Sequence, residues 1–449
     1  MIEVELTDVG HGGVAIGRAP DGRAAMVRFG LPGETVKVHV TEEKKRYLKG
    51  DAYEVVGDPS PHRVAHPWPE AGPGGVGGAD LGHVEFSWQQ EWKTRVLRSQ
   101  IRRIGGQELT DHLAAQGIEP RVEAFAGDAE SHGWHTRTRV DLTADRRGRL
   151  GMYREGTHDV IALAQLPIAD PRIVELGLVG VKAQELGWRF NAGTRVKAVA
   201  PSASAPVIVV DKRVVDAQGR DTETPFVTEK VEIAGHTYTY RVRADGFWQI
   251  HREAARAVSE LVISEAGVQV GDHVLELYAG AGLFTAPLAR AVAGGSATGA
   301  AGENAGAAGE SAGAAGESAG EDFADAGAVA GTVRGLEGNR LSVEAARANL
   351  RDYPRGQVST AKITPRLIER EGYGTDILIA DPPRTGLGID GAGAAAACDA
   401  RRIVLISCDV AAMARDVATM VDQGRRVVAM HSLDMFPNTH HFEVVTTLA

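Results

Sequence analysis

Cysteine is scarce: the 449 residues contain two, Cys398 and Cys408. That excludes a disulfide scaffold and points to a reducing compartment. Long apolar runs are missing too, and no stretch approaches the roughly 18 residues that cross a bilayer, so no membrane partner is expected. The opening MIEVELTDVG lacks a basic-then-apolar order. No signal peptide is expected there, and a cytoplasmic location is. Positive charge is in deficit, with 49 basic against 59 acidic residues and a formal net charge of -10. Part of the excess is local, because Glu303, Glu310, Glu317, Glu321, Asp322 and Asp325 fall within 301–330 without a basic residue. The rest of the chain is still acidic, so any nucleic-acid site must be a local basic surface.

What is present reads as a globular protein of two to four domains, 43% hydrophobic and 24% charged. Residues 1–57 hold short strand-like stretches (VELTDVG, AAMVRFG, TVKVHVTEE, GDAYEVVG) between the turns HGGVAIG, APDGR and LPGE. This spacing predicts a small five-stranded barrel of the OB type. In it, Lys44-Lys45-Arg46-Tyr47-Leu48-Lys49 sets positive charge beside an aromatic ring. That pattern suits a phosphate backbone and a stacked base, and equally a solvated hairpin edge. Residues 58–243 read as a connector, a helical stretch at 85–117 and a strand-rich part, together a mixed α+β middle domain.

From 244 to 449 short apolar runs alternate with helical segments, which predicts a doubly wound, mostly parallel α/β sheet of Rossmann-like type. Ligands bind such sheets at the carboxyl ends of the strands. One segment breaks the pattern. Residues 301–321 are three near-copies of a seven-residue Ala/Gly/Glu unit, within an insertion expected to be disordered at about 294–329.

Chemistry-bearing residues fall at the strand ends. LELYAGAG (275–282) gives a glycine turn that lets a ligand approach the backbone. Glu337, in GLEGN, is an acid at the next strand end, where ribose hydroxyls are held in dinucleotide folds. Asp381-Pro382-Pro383-Arg384 follows the apolar ILIA and presents its acid on a stiff turn; it reads as a helix cap or as a methyltransferase substrate loop. Cys408, after VLIS, reads on its own as a small buried side chain, and Cys398 likewise. His440 and His441 are neighbours; on a strand they would point to opposite faces, so no metal site is assigned.

Taken in order, Phe247-Trp248-Gln249, LELYAGAG, LEGN, DPPRTG, SCDVAAMARD and DMFPNTHHFE resemble the RNA uracil-C5 methyltransferase family, which includes bacterial 23S rRNA and tRNA enzymes. The N-terminal unit resembles that family's TRAM domain, an RNA-binding barrel, so the resemblance covers nearly the whole chain outside the insertion. It implies S-adenosylmethionine as cofactor and RNA, either rRNA or tRNA, as partner. It implies that Gln249, Tyr278, Glu337 and Asp381 contact the cofactor. Asp381 is also implied near the uracil edge, with Phe247 stacking on the base, Cys408 as nucleophile and Glu443 as proton acceptor. A nucleophilic Cys408 implies a depressed thiol pKa, with Arg415 as the nearby cation. A monomer is expected.

The resemblance has one departure. Many rRNA members carry an iron–sulfur cluster on four cysteines, and Trp68, Val76, Ala79 and Leu166 stand in their places here. No cluster is expected, and apolar packing is expected to replace it around the loop 68–79. Two rival readings remain at this point. One is a methyltransferase acting on an amino nitrogen, which needs no thiol. The other is an RNA-binding protein of the same fold without activity.

Overall fold

The computed structural model describes residues 1–295 and 331–449. The 301–321 repeat, and nearly all of the insertion expected at 294–329, lie outside the described residues. At the N-terminus, apolar residues at alternate positions roll five strands into a closed barrel. They are β1 (Ile2–Gly10), β2 (Val14–Arg18), β3 (Ala24–Arg28), β4 (Thr35–Glu43) and β5 (Tyr47–Val56), joined in the order β1-β2-β3-β5-β4. β2 is a strand where the sequence reading placed a turn. The turn is confined to His11–Gly13, with φ of 87° at Gly12 and 70° at Gly13. Gly17 hides the alternation that follows, and it is needed because a Cβ there would meet the Glu5 carbonyl oxygen at 2.2 Å. On the Lys44–Lys49 edge, Glu42 pairs with Lys44 at 3.3 Å and Lys49 at 3.0 Å, so part of that charge is already spoken for.

After the barrel come α1 (Phe86–Gln100), a π turn at Ile101–Gly105, α2 (Gly106–Ala115) and the short β6 (Val122–Glu123). Next are β7 (Arg139–Ala144), β8 (Leu150–Tyr153), β9 (Val160–Ala162), the short helices α3 (Pro171–Glu175) and α4 (Gly180–Glu185), β10 (Arg195–Val199), β11 (Val207–Val210) and β12 (Arg213–Val215). Their strands form an antiparallel sheet in the order β12-β11-β10-β7-β8-β9. Trp68, Val76, Ala79 and Leu166 come together under this sheet in one apolar cluster, at 0, 2, 0 and 4% exposure.

The hairpin β13 (Phe226–Ile233) and β14 (His236–Arg243) packs on α5 (Ala254–Ala266). Beyond it lie β15 (His273–Leu277), α6 (Thr285–Val292), β16 (Thr332–Glu337), α7 (Arg340–Asn349), β17 (Gly356–Thr360), α8 (Pro365–Glu371), β18 (Ile377–Ala380), α9 (Gly388–Ala396), β19 (Arg402–Ser407), α10 (Val410–Asp422), β20 (Val427–Leu433) and β21 (Glu443–Leu448). The sheet runs β17-β16-β15-β18-β19-β21-β20-β6. β15 to β19 are parallel; the central β15, β18 and β19 are buried on both faces, as the all-buried ILIA of β18 shows, and β21 runs antiparallel to its neighbours. The chain winds outward from β15 to β17, then restarts on its other side at β18. That reversal opens a crevice at the carboxyl ends of β15 and β18. Packing does not follow chain order, since α1 and β6 join the eight-stranded sheet from well upstream.

Candidate active site

Each turn beyond a parallel strand holds its acid in place by backbone bonds. After β15, Tyr278 sits at φ 64°, a left-handed conformation rare for a non-glycine residue. Its N–H and that of Ala279 both donate to the Leu336 carbonyl, at 2.8 and 3.1 Å. Glu337 closes the same corner, accepting from Gly280 N–H at 3.0 Å and Asn339 N–H at 2.6 Å. Each carboxylate oxygen keeps a further lone pair. Asp381 follows β18, and its N–H donates to the Leu277 carbonyl at 3.4 Å. Cys408 lies between the end of β19 and α10, whose first turn Asp409 caps by accepting from Ala412 N–H at 2.8 Å. Ser407 pairs with Val444 across β19 and β21, so the next step of the register sets Cys408 opposite Glu443.

These groups share one electrostatic environment. Burial pushes the Asp381 carboxyl up to about 7, and the Glu337 charge adds to it. Burial, then Asp381, holds Glu443 well above the ordinary carboxylate range. Glu276, inside β15, rises to about 8 through burial, with Asp381 and Glu337 contributing, although Thr285 Oγ1 donates to it at 2.6 Å. Burial raises the Tyr278 phenol too. The Cys408 thiol is pushed up to about 11, first by burial and then by Glu443 and Asp381, while Arg384 opposes the rise. The expectation of a depressed thiol is therefore corrected: burial and the neighbouring acids raise it. The cation is also a different one: Arg415 bonds Asp416 at 2.7 Å and the Thr385 carbonyl at 2.7 Å. The carboxylates beside the thiol outweigh both Arg384 and the start of α10.

The loop before β21 is built from upstream parts. Lys93 of α1 donates to Asp434 at 2.5 Å, with both side chains fully buried. Gln89 donates to the Asn438 side chain at 2.9 Å and accepts from Asn438 N–H at 2.8 Å, which holds Asn438 at φ 63°. His440 bonds Asp80 at 2.7 Å, and His441 faces Arg384 at 3.4 Å. The two histidines lie in a turn and not on a strand, so the opposite-faces argument fails and their ring centroids are 3.9 Å apart. Cys398 packs away from this cluster, against α8 and α9.

Phe247 is 74% exposed, open for an aromatic partner, whereas Trp248 beside it is buried. Trp248 packs on Tyr240 at 5.2 Å, and Tyr240 donates to the Leu283 carbonyl at 2.9 Å, which ties this segment to the glycine turn. The side chain of Gln249 makes no hydrogen bond among the described residues; its carbonyl accepts from Thr138 at 3.4 Å. The cluster thus gathers Tyr278, Glu337, Asp381, Cys408 and Glu443, with Phe247 and Gln249 on an adjoining segment. Sequence reasoning missed Glu276, Arg384 and Asp80. An acid inside an otherwise apolar strand was the available signal for Glu276. Asp80 had none, because its partner His440 is 360 residues away.

Residues 1–53 match the TRAM domain model, and residues 209–314 and 342–449 match the model described as tRNA (uracil-5-)-methyltransferase. A protein of Streptomyces avermitilis described as an uncharacterized RNA methyltransferase is 33% identical, over 99% of this chain and 97% of its own. One of Bifidobacterium longum with the same description is 32% identical, over 95% and 91%. Among solved structures, the Pyrococcus abyssi tRNA (uracil-54, C5)-methyltransferase in complex with S-adenosyl-L-homocysteine superposes with a TM-score of 0.63. It is 20% identical and covers 99% of both chains, a likeness of fold.

Proposed function

The chain belongs to the RNA methyltransferase family that joins a TRAM domain to a tRNA (uracil-5-)-methyltransferase domain, and from that premise we propose that it methylates carbon 5 of a uridine in RNA, with Cys408 as nucleophile and Glu443 as base. The observation that carries this reading is the pairing of a half-buried thiol and a buried carboxylate at adjoining strand ends, beside the crevice. Methylation of an amino nitrogen would have no use for that thiol.

S-adenosylmethionine, when bound, supplies a methyl group on a positively charged sulfur. The crevice fits such a group. Asp381 and Glu337 both raise the Glu276 carboxyl, Glu337 raises Asp381, and Glu276 Oε1 is buried without a hydrogen-bond partner among the described residues. A cation placed there relieves the repulsion. Gln249, Tyr278, Glu337 and Asp381 are proposed to hold it, Glu337 through the lone pairs that face away from the glycine turn.

The chain's own residues then act on the base. The Cys408 thiolate bonds to uracil C6, and the displaced electron pair makes C5 nucleophilic enough to accept the methyl. Glu443 takes the proton that C5 still carries. The pair from that C–H bond restores the C5–C6 double bond, and Sγ leaves as thiolate. Phe247 stacks on the base that has left its own stack, and Asp381 meets the uracil edge. The target is rRNA or tRNA, and the protein acts as a monomer. The direct test uses RNA in which 5-fluorouridine replaces uridine, because fluorine on C5 cannot be removed as a proton. A covalent protein–RNA adduct, lost in Cys408→Ala, is expected; equal adduct from the variant would sink the proposal.

A further inference from the structure

The chain is acidic overall, yet one cleft is not. A hollow of about 760 Å³ lies between the β7–β10 sheet and the loop that precedes β21. Arg137, Arg154, Arg195 and Arg384 line it. Its acids already have partners: Asp80 bonds His440, Asp141 pairs with Lys197 at 3.5 Å, and Glu155 pairs with Arg28. None of the four arginines pairs with a carboxylate among the described residues. Arg137 donates to the Gly78 carbonyl at 3.0 Å, Arg154 to the Gly74 carbonyl, and Arg384 faces His441. Burial pulls the Arg137 guanidinium down to about 10, and Asp80, already bonded to His440, only partly opposes the fall.

The cleft is open at both ends. Inward it reaches Ile250, just after Phe247-Trp248-Gln249, and His441, two residues from Glu443. Outward it shares the turn Arg154–Thr157 with a second hollow of about 1030 Å³, which carries Lys49 and Tyr53 of the barrel. Tyr153, 41% exposed, stands at the shared turn. Unpaired arginines along a groove, with exposed aromatic rings beside it, are what a single-stranded nucleic acid requires: cations for phosphates and flat faces for bases. The width of a duplex is not needed, because a base that leaves its stack does so from a loop or an unpaired segment.

We propose that this groove is the track for single-stranded RNA flanking the target uridine, with Arg154 and Arg195 gripping its phosphates between the barrel and the active site. The inference deepens the uridine reading and rests on it for the identity of the occupant. The test titrates a fluorescent oligouridylate of about 12 nucleotides against the full chain and against Arg154→Ala/Arg195→Ala. The neutral pair is expected to bind about tenfold more weakly. Its salt slope should be shallower by about 1.4, the share of two phosphate contacts on a single strand. Arg154→Lys/Arg195→Lys keeps most of the affinity, and S-adenosylmethionine affinity and melting temperature stay the same. Arg195→Glu alone, at an exposed position, gives the same reading if the alanine pair does not fold. Unchanged affinity and slope in the neutral variants overturn the groove, as does equally tight, equally arginine-dependent binding of a duplex. A full chain that binds in this arginine-dependent way yet methylates no uridine leaves the groove standing and removes the uridine reading.

Discussion

Burial and neighbouring acids hold back ionisation across the site: the Cys408 thiol is pushed up to about 11, Asp381 to about 7, and Glu443 well above the ordinary carboxylate range. Every one of these groups is raised by burial first and by a neighbouring acid second, so one added positive charge lowers them all. Binding of S-adenosylmethionine should therefore expel protons. The sign follows from the direction of the shifts: an acid raised in the free protein and lowered in the complex gives up its proton on binding. Calorimetry at pH 7 in two buffers of different ionisation enthalpy should show net release, and affinity should rise with pH through about 7 as Asp381 ionises. Net uptake, or none, would show that these acids do not face the cofactor. The candidate residues were legible only through the family resemblance, because each falls within one of its motifs, while Cys408 on its own reads as a small buried side chain. Their protonation was not: it depends on the acids that the register brings beside Cys408, which spacing along the chain does not reveal.

At the scale of the element, the loop from Asp434 to Glu443 depends on α1, more than 300 residues upstream. The Lys93–Asp434 pair carries opposite charges with no exposure on either side chain. Lys93→Met leaves the buried Asp434 charge with Gln90 as its side-chain donor and no counter-ion, and urea unfolding should register a loss of about 3–5 kcal/mol. Lys93→Met/Asp434→Leu should recover most of it; a double variant as unstable as the single one would mean that packing, and not the buried charge, sets the cost. The strands and helices of the doubly wound sheet were legible because apolar runs of four to six residues recur between helical segments. β2 was not, because Gly13 and Gly17 disguise its alternation as a turn. The upstream support of the loop left no local pattern either, since Gln89 and Lys93 look like ordinary polar positions of an amphipathic helix.

At the scale of the molecule, the barrel is docked on the loop that precedes β21 and on the start of α10. His11 of the β1–β2 turn lies 4.0 Å from Asp409, next to Cys408, and 6.4 Å between ring centroids from His440. Gly13 beside it has no room for a side chain: a Cβ would meet Asp80 Oδ2 at 2.4 Å and His440 Nδ1 at 3.3 Å. Gly12 is equally left-handed, at φ 87°, but faces open space. Both alanine variants thus share the backbone strain, and only one disturbs the loop. Gly13→Ala should slow methyl transfer by about tenfold or more, as small displacements of a catalytic loop do, while Gly12→Ala keeps the rate and melts at a similar temperature. Equal rates would mean that the barrel only tethers RNA. The order barrel, middle domain, doubly wound sheet was legible in the sequence, through turn spacing first and helix alternation later. The contact between first and last was not, because it joins residues from opposite ends of the chain.

The role proposed for Cys408 is to drive methylation of uridine carbon 5. It meets its most direct test in nucleoside mass spectrometry on tRNA and rRNA, purified separately from cells with and without this gene. Loss of 5-methyluridine from one of the two pools is expected, restored by the unaltered gene and not by Cys408→Ala. Unchanged 5-methyluridine in both pools, or full restoration by Cys408→Ala, would contradict it.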